Sequence, residues 1–416
     1  MEVDGQQPRL FYGWIIVATA AVGLLLGGFP ISVASFGVFF PAYVREFHSG
    51  RAAISLAFTA HNAVGAFAIS AIGPLADRFG ARTVILTGSA ALGVILLSAQ
   101  AIGSHIWQLY LLYCLLAAAG AATTAVPYAL VVSYWFNRRR GLALGVTMIG
   151  MGMGAILVPP VAQGLIARYG WRTALAVLGY VVLVGPIPLV AIFLKDAPEQ
   201  MGLLQDGARS GAKAALASEG LSWREIWRSG TFWLMTAGFM LVGASVHACV
   251  VHLPQLIADR HGSANAAAVA TSVLGLALLV GRAGAGYLLD RVFAPRVASV
   301  LFATAAAGIL LIWMSAHATS MLVGGFLVGL AFGAEADIIA YLIGRYFGLR
   351  SMGVALGFAF GAFVLAGGAG PLLMDLAYDR FGSYTGPSAI ACCLSLLAAG
   401  LLACLGPYRF GVKGEI

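Results

Sequence analysis

Along most of the chain, long apolar runs are broken only by short polar interruptions, a pattern that repeats from Phe11 to Cys404. A bilayer core needs about 20 apolar residues per helix, more when the helix tilts. On that measure the runs predict twelve spanning helices, at approximately 13–42, 51–76, 82–103, 106–136, 140–168, 171–195, 229–258, 265–289, 296–316, 319–347, 351–378 and 385–406. Several contain glycine or proline (Gly27, Gly28, Pro30; Pro159, Pro160; Gly367, Gly368, Pro371), breaks that a buried bundle tolerates. Residues 1–10 are polar and the first apolar run is too long for a cleaved leader, so it reads as a signal anchor. The one long polar stretch, 196–228, is rich in Ala, Gly and Ser from Gly207 to Gly220, then sets Trp223, Ile226, Trp227 and Phe232 among Arg and Glu. It predicts a flexible linker followed by a short interfacial amphipathic helix. The organisation expected is an all-α membrane protein: an N-terminal six-helix bundle over 1–195, a linker over 196–228 and a C-terminal six-helix bundle over 229–416.

Composition agrees with lipid as the solvent. The 416 residues are 61% hydrophobic and only 10% charged, against about 25% charged in a soluble domain. The formal charge of +8 invites a nucleic-acid partner, but the cations sit in short loops between apolar runs and form no stripe or tail, which excludes that class. Their distribution sets topology instead. Of the 24 Lys and Arg, seventeen fall on the side shared by both termini, six on the other, and Arg282 within a span, which predicts both ends inside. The five cysteines lie in apolar runs without metal spacing and read as reduced core residues.

A repeat supports two halves. Gly73-Pro-Leu-Ala-Asp77-Arg78-Phe-Gly80-Ala-Arg82 follows span two, and Gly286-Tyr-Leu-Leu-Asp290-Arg291, then Arg296, follows span eight. Trp135-Phe136-Asn-Arg138-Arg139-Arg140-Gly141-Leu-Ala-Leu-Gly145 follows span four, and Tyr346-Phe347-Gly-Leu-Arg350-Ser-Met-Gly353-Val-Ala-Leu-Gly357 follows span ten. Spans five and eleven end in Ala167-Arg168-Tyr169-Gly170 and Asp379-Arg380-Phe381-Gly382. Three matches in register mean duplication.

The Gly73 to Arg82 segment resembles the loop 2–3 signature of the major facilitator superfamily, and its weaker copy sits where that superfamily repeats it. Tyr12-Gly13-Trp14, Phe136 to Gly145 and Tyr346 to Gly357 are similar to the monocarboxylate transporter and oxalate/formate antiporter branches. The resemblance implies a cavity lined by spans one, four, seven and ten. Two departures bear on cargo. Eukaryotic monocarboxylate transporters carry a lysine in span one and an aspartate one turn before the span-eight arginine; here span one has no lysine and that position is Leu278. The oxalate antiporters add a lysine in span eleven, which this chain lacks. One carboxylate therefore fits better than a dianion.

Few ionisable residues lie within spans: Arg282, Glu335, Asp337 and, nearer the outer end of span eleven, Asp375. A charge at mid-bilayer costs at least about 2.5–3.5 kcal/mol, so such residues pair or line water. Arg282 offers a fork that grips a carboxylate bidentately. An acidic neighbour, Glu335 or Asp337, balances it when empty and takes a proton when substrate binds. The two acids are about 200° apart on a helix, so they face different ways, and which one pairs with Arg282 stays open. The bland alternative is a static ion pair locking span eight to span ten. His61 and Asn62 in span two, Tyr128 in span four and His247 in span seven offer further donors to an anion, His247 also a proton relay, although each serves equally as bundle glue. At the cytoplasmic face, Asp77 and Asp290 stand where spans eleven and five begin, and a carboxylate at a helix N-terminus is favoured. They are expected to latch the outward-open state, with Arg78, Arg82, Arg138, Arg139, Arg140, Arg291 and Arg296 completing the charge network.

The function expected is proton-coupled transport of a small monocarboxylate anion across the inner membrane, with exchange of the oxalate/formate type or another small organic solute as the alternative. There is no HExxH, GxSxG, metal-spaced cluster or nucleotide-binding loop, so neither enzyme chemistry nor a cofactor is expected, and a gradient drives the cycle.

Overall fold

A computed structural model of the chain describes residues 11–206, 220–261, 264–315, 317–381 and 385–410. The linker expected over Gly207 to Gly220 therefore falls almost wholly outside the described residues, as does the Asp375 side chain. Among the described residues the protein is helical, and its only β-type pairing is the isolated bridge between Gly220 and Gly348.

Span one is assembled from Gly13–Leu25, a π-helical turn Phe29–Ala34, and Phe36–Phe47. The break falls at the Gly27-Gly28-Pro30 cluster, where proline removes an amide donor. Side chains satisfy the freed backbone: the Gly28 N–H donates to Thr123 Oγ1 (2.8 Å), Ser32 Oγ to the Gly28 carbonyl (2.6 Å) and Ser35 Oγ to the Pro30 carbonyl (2.8 Å). In lipid no water would do so. Span two is Arg51–Phe79, span three Ala81–Ser98, and span four Ile106–Gly120 with Ala125–Trp135, joined through one 3-10 turn.

Spans five and six form a nearly continuous run, Arg140–Val184, extended by Pro186–Phe193. Gly170 separates them with φ of +79°, a conformation that an L side chain resists. Spans seven to twelve are Gly230–His261, Ala264–Leu289, Ala294–Met314, Ala318–Phe347, Met352–Phe381 and Thr385–Ala403. Ten described stretches are long and apolar enough to cross a membrane; Arg140–Phe193 carries two crossings, and the shorter apolar helix Val273–Leu289 completes the twelve. Phe67, Tyr180, Val300 and Leu373 stand exposed on the outside of the bundles, where lipid tails solvate them.

The halves meet at the end that carries most of the arginines. Span two packs on span eleven, span five on span eight, and span four on spans ten and eleven. Glycines permit these crossings. A methyl group at Gly73 would strike the Gly353 carbonyl, and one at Gly141 would strike the Gly286 carbonyl, so backbones touch as in small-residue membrane interfaces. The far end of the first half is filled by aromatics, with Phe36 and Tyr43 edge-on to Tyr113, Tyr43 edge-on to Trp171, and the Tyr43 and Tyr113 hydroxyls 3.2 Å apart.

The predicted interfacial helix is a single turn and a half, Trp223–Trp227. Ser222 and Glu225 form its capping box, the Ser222 N–H and hydroxyl both donating to Glu225 Oε2 (2.7 and 2.6 Å). Ile226 is buried, and Trp223 and Trp227 pack on Phe358 of span eleven.

Candidate transport site and gate

Span eight brings Arg282 inward at 4% exposure, and span ten brings Glu335 and Asp337 at 1% and 0%. The guanidinium does not touch lipid. Its Nη1 donates to the Met148 carbonyl of span five (2.8 Å), so the arginine of one half holds the backbone of the other. Its Nε has no partner, and neither do the four carboxyl oxygens of Glu335 and Asp337. Neither acid makes an ion pair with Arg282; the one ion pair found among the described residues is Arg172 with Glu46, 2.8 Å, at the far end of the first half. Both acids lie on span ten, which packs closely on the span that carries Arg282. The expected tight pair is therefore a loose triad. The geometry explains the looseness: the guanidinium reaches toward span five for a carbonyl, which leaves its Nε unspent.

The other predicted donors are spread out. Tyr128 is fully buried with its hydroxyl unpartnered, lying against Gly23 of span one. His247 hydrogen-bonds the Gly243 carbonyl through Nδ1 (2.9 Å) and sits edge-on to Phe332 and Phe363. His61 engages Ser32 Oγ through Nε2 (2.9 Å), stacks on Phe58 and lies edge-on to Tyr113 within the first half, so its bond is of the bundle-holding kind. Asn62 beside it is half-buried. Arg282, Glu335 and Asp337 thus form one cluster, Tyr128 lies against span one and His247 against spans ten and eleven, and His61 belongs to a separate aromatic group.

At the Arg-rich end the two repeated aspartates are fully partnered. Asp77 accepts from the amides of Gly353 (3.0 Å) and Val354 (2.8 Å), the first turn of span eleven. Asp290 accepts from Gly141 (2.7 Å) and Leu142 (2.9 Å), the first turn of span five. Each carboxylate caps a helix of the opposite half, where free N–H groups and the helix dipole favour an anion. Burial pushes the Asp290 carboxyl above its ordinary range, against the lowering effect of its two amide bonds.

Of the arginines expected to complete this network, Arg140 reaches the other half, at Gly344, and the others stay on their own. Arg78 lies over the Phe79 ring (5.1 Å), Arg291 over Tyr287 (3.6 Å) and Arg296 over Phe293 (5.9 Å), each on its own span end. Arg82 turns to its own half, its amide donating to Asp196 (2.7 Å) and its guanidinium to the Ala191 carbonyl. Arg138 and Arg139 are exposed, and only their amides are used, donating to Asp206 (3.0 and 2.9 Å). A guanidinium laid on an aromatic face keeps its hydration, whereas burial between halves would strip it.

Other residues join the halves there. Arg345, ending span ten, donates to the Asn137 side chain and carbonyl (3.0 and 2.9 Å), and Tyr134, ending span four, donates to the Leu349 carbonyl (3.2 Å). Arg140 is buried with its Nη1 against Gly344, held by the Phe136 carbonyl (3.0 Å). Sequence reasoning missed Arg345 and Tyr134. The repeat held the signal, because Tyr134-Trp135-Phe136 and Arg345-Tyr346-Phe347 occupy equivalent places.

Known proteins match this architecture. The family model described as Major Facilitator Superfamily matches residues 20–371. Monocarboxylate transporter 13 of Bos taurus is 28% identical over 416 residues, covering 99% of this chain and 93% of that protein. A probable sulfoacetate transporter of Cupriavidus necator is 28% identical over 80% of each chain. The solved structure of the proton:xylose symporter XylE superposes with a TM-score of 0.71 at 14% identity, covering 97% of this chain and 98% of that one, a likeness of fold alone. With its twelve spans and these relatives, the chain belongs to the major facilitator superfamily as a multi-pass membrane transporter related to the monocarboxylate transporters.

Proposed function

We propose that this chain is a secondary active transporter of small monocarboxylates, lactate- or pyruvate-like, driven by protons in the inner membrane with both termini cytoplasmic. Its working units are then the bundles 1–195 and 229–416, tied by 196–228. The observation that carries the reading is one buried, incompletely satisfied guanidinium, Arg282, beside two acids without hydrogen-bond partners. A carboxylate entering from the outer side would take the fork of Arg282, including the Nε left unpartnered and the Nη1 now spent on Met148. That replaces a bond between halves with a bond to cargo. An acid of span ten takes a proton in the same step, so the loaded site crosses with its charge balanced and avoids moving net charge through a low-dielectric gate.

In this reading Asp77 and Asp290 hold the cytoplasmic ends together, and their four amide bonds break when the bundles rock to release cargo inside. The relative from Bos taurus is a monocarboxylate transporter by name and supports this cargo. The relative named as a probable sulfoacetate transporter favours a second reading, a carrier or exchanger of another small organic anion.

The test is uptake of labelled lactate, pyruvate, formate, oxalate and sulfoacetate into proteoliposomes, with and without an inward proton gradient. Saturable monocarboxylate uptake that the gradient accelerates is the expected result. Uptake of oxalate or sulfoacetate in preference, indifferent to the gradient, would establish the second reading.

A further inference from the structure

We infer that Glu335 is a resident neutral carboxylic acid, a proton-holding site distinct from the acid that exchanges the coupled proton, which is Asp337. The assignment of exchange to Asp337 rests on the transport reading above; the protonation of Glu335 in the resting protein does not.

The first argument is charge. Arg282, Glu335 and Asp337 are all at least nine-tenths buried, and together they hold one cation and two acids. The elements packed on span ten bring little else that titrates. Span four brings Tyr128 and, at its gate end, Tyr134. Span five brings the Met148 backbone and, at the gate, Arg140. Span seven brings His247 and Cys249, and His252 beside Leu253, which packs on Gly325 toward the other end of span ten. Spans nine and eleven bring no ionisable side chain at the depth of Glu335 among the described residues. Ionising both acids would leave an uncompensated negative charge in the membrane interior, at a cost of several kcal/mol. One acid therefore stays neutral.

The second argument is direction, and it says which. On span ten, Gly329 packs directly on Leu274 and Ala277 of span eight, and Gly333 packs on Leu278. Asp337 is one turn beyond Gly333 in that stripe, as Arg282 is one turn beyond Leu278. Asp337 is thus the acid on the arginine's side. Glu335 follows Phe332 by three positions and shares its face, and the Phe332 ring sits 5.0 Å from the His247 ring of span seven. His247 already spends its Nδ1 on the Gly243 carbonyl. No donor meets either Glu335 oxygen. A carboxylate so placed is unstable, and a protonated acid is tolerable.

Two consequences follow. One proton is exchanged for each carboxylate moved, not two. Glu335 also holds an O–H donor on the span-seven side of span ten, available to a substrate oxygen once the site opens.

Infrared spectroscopy of the full chain reconstituted in phosphatidylcholine vesicles, without substrate, tests the resting state. At neutral pH the wild type should show the C=O stretch of a protonated carboxyl; Glu335→Gln should lose that band and Asp337→Asn should keep it. A wild type without the band, a band that survives Glu335→Gln, or one that vanishes in Asp337→Asn would overturn the assignment. Should Glu335→Gln fail to fold, Asp337→Asn decides, because only a neutral Glu335 keeps the band there as pH is raised through the neutral range. The proton-to-substrate ratio of flux is read separately: a ratio of one supports the exchange role of Asp337 and a ratio of two refutes it. A protein that shows the band but moves no monocarboxylate would sink the transport reading and leave Glu335 neutral.

Discussion

The gate and the membrane centre treat charge in opposite ways. At the gate each acid that joins or braces the halves has its amides: Asp77 two, Asp290 two, and Asp206 those of Asn137, Arg138 and Arg139. At the centre Glu335 and Asp337 have none, and Arg282 has one carbonyl. A satisfied charge stabilises the contact it makes, and an unsatisfied one awaits a ligand or a proton. The contrast separates the part of the protein proposed to hold a conformation from the part proposed to recognise cargo.

The contrast can be broken from the centre first. Asp337→Asn removes the exchangeable negative charge and leaves Arg282 under-compensated. Gradient-driven accumulation should fall by about a hundredfold, the equivalent of some 2.7 kcal/mol, while counterflow persists at a reduced rate. Proteoliposome uptake with and without a gradient separates the two, and accumulation at the wild-type level would contradict the role given to Asp337.

At the gate, Asp77→Asn keeps hydrogen-bonding capacity but loses the anion at the start of span eleven. A partly buried charge at a helix terminus contributes up to about 2 kcal/mol. Turnover should drop about tenfold with insertion unaffected, and a spin-label distance across the Arg-rich ends of spans two and eleven should lengthen. Unchanged flux and distance would leave Asp77 a topology charge only.

Arg345→Gln should act more mildly. It removes two bonds to Asn137 but keeps an amide able to remake one. A loss of about 1 kcal/mol predicts a severalfold shift toward the inward-open form, read by the same distance.

The smallest effect is a pH dependence. Burial holds the Asp290 carboxyl in the closed gate above its ordinary range. The closed state therefore binds the proton more readily than an open, hydrated state. The proton-linked part of Asp290's contribution to closure, beyond the amide bonds that either form accepts, is fully present below the ordinary carboxylate range and fades as pH rises through the closed-state value. Asp290→Asn should flatten that part of the profile, changing the closed population by about twofold or less, on the scale of a few tenths of a kcal/mol.

Much of this was legible in the sequence, and the reasons differ by element. Apolar run length located twelve spans because lipid imposes a minimum helix length. The boundary between spans five and six was placed around Gly170, and a positive φ there is what turns the chain. The repeat put Asp77 and Asp290 at the helix starts beside which they are found; the latch they are proposed to form is a separate matter. Less legible were partnerships made through backbone groups. Asp206 capping the turn after span four, the Met148 carbonyl on Arg282 and the Asn137 carbonyl on Arg345 leave no trace in residue type. The destinations of Arg78, Arg291 and Arg296 were also hidden, because a loop arginine next to an aromatic residue reads the same whether it crosses to the other half or lies on its neighbour.

The central claim is that Arg282 grips the cargo, and counterflow of labelled lactate tests it most directly because no proton gradient is needed. In proteoliposomes loaded with unlabelled lactate, Arg282→Ala should abolish counterflow while inserting normally, and Arg282→Lys should retain a weak residue of it through charge alone. Counterflow by Arg282→Ala at a rate near the wild type would contradict the account, and would leave a twelve-span carrier whose cargo is held elsewhere.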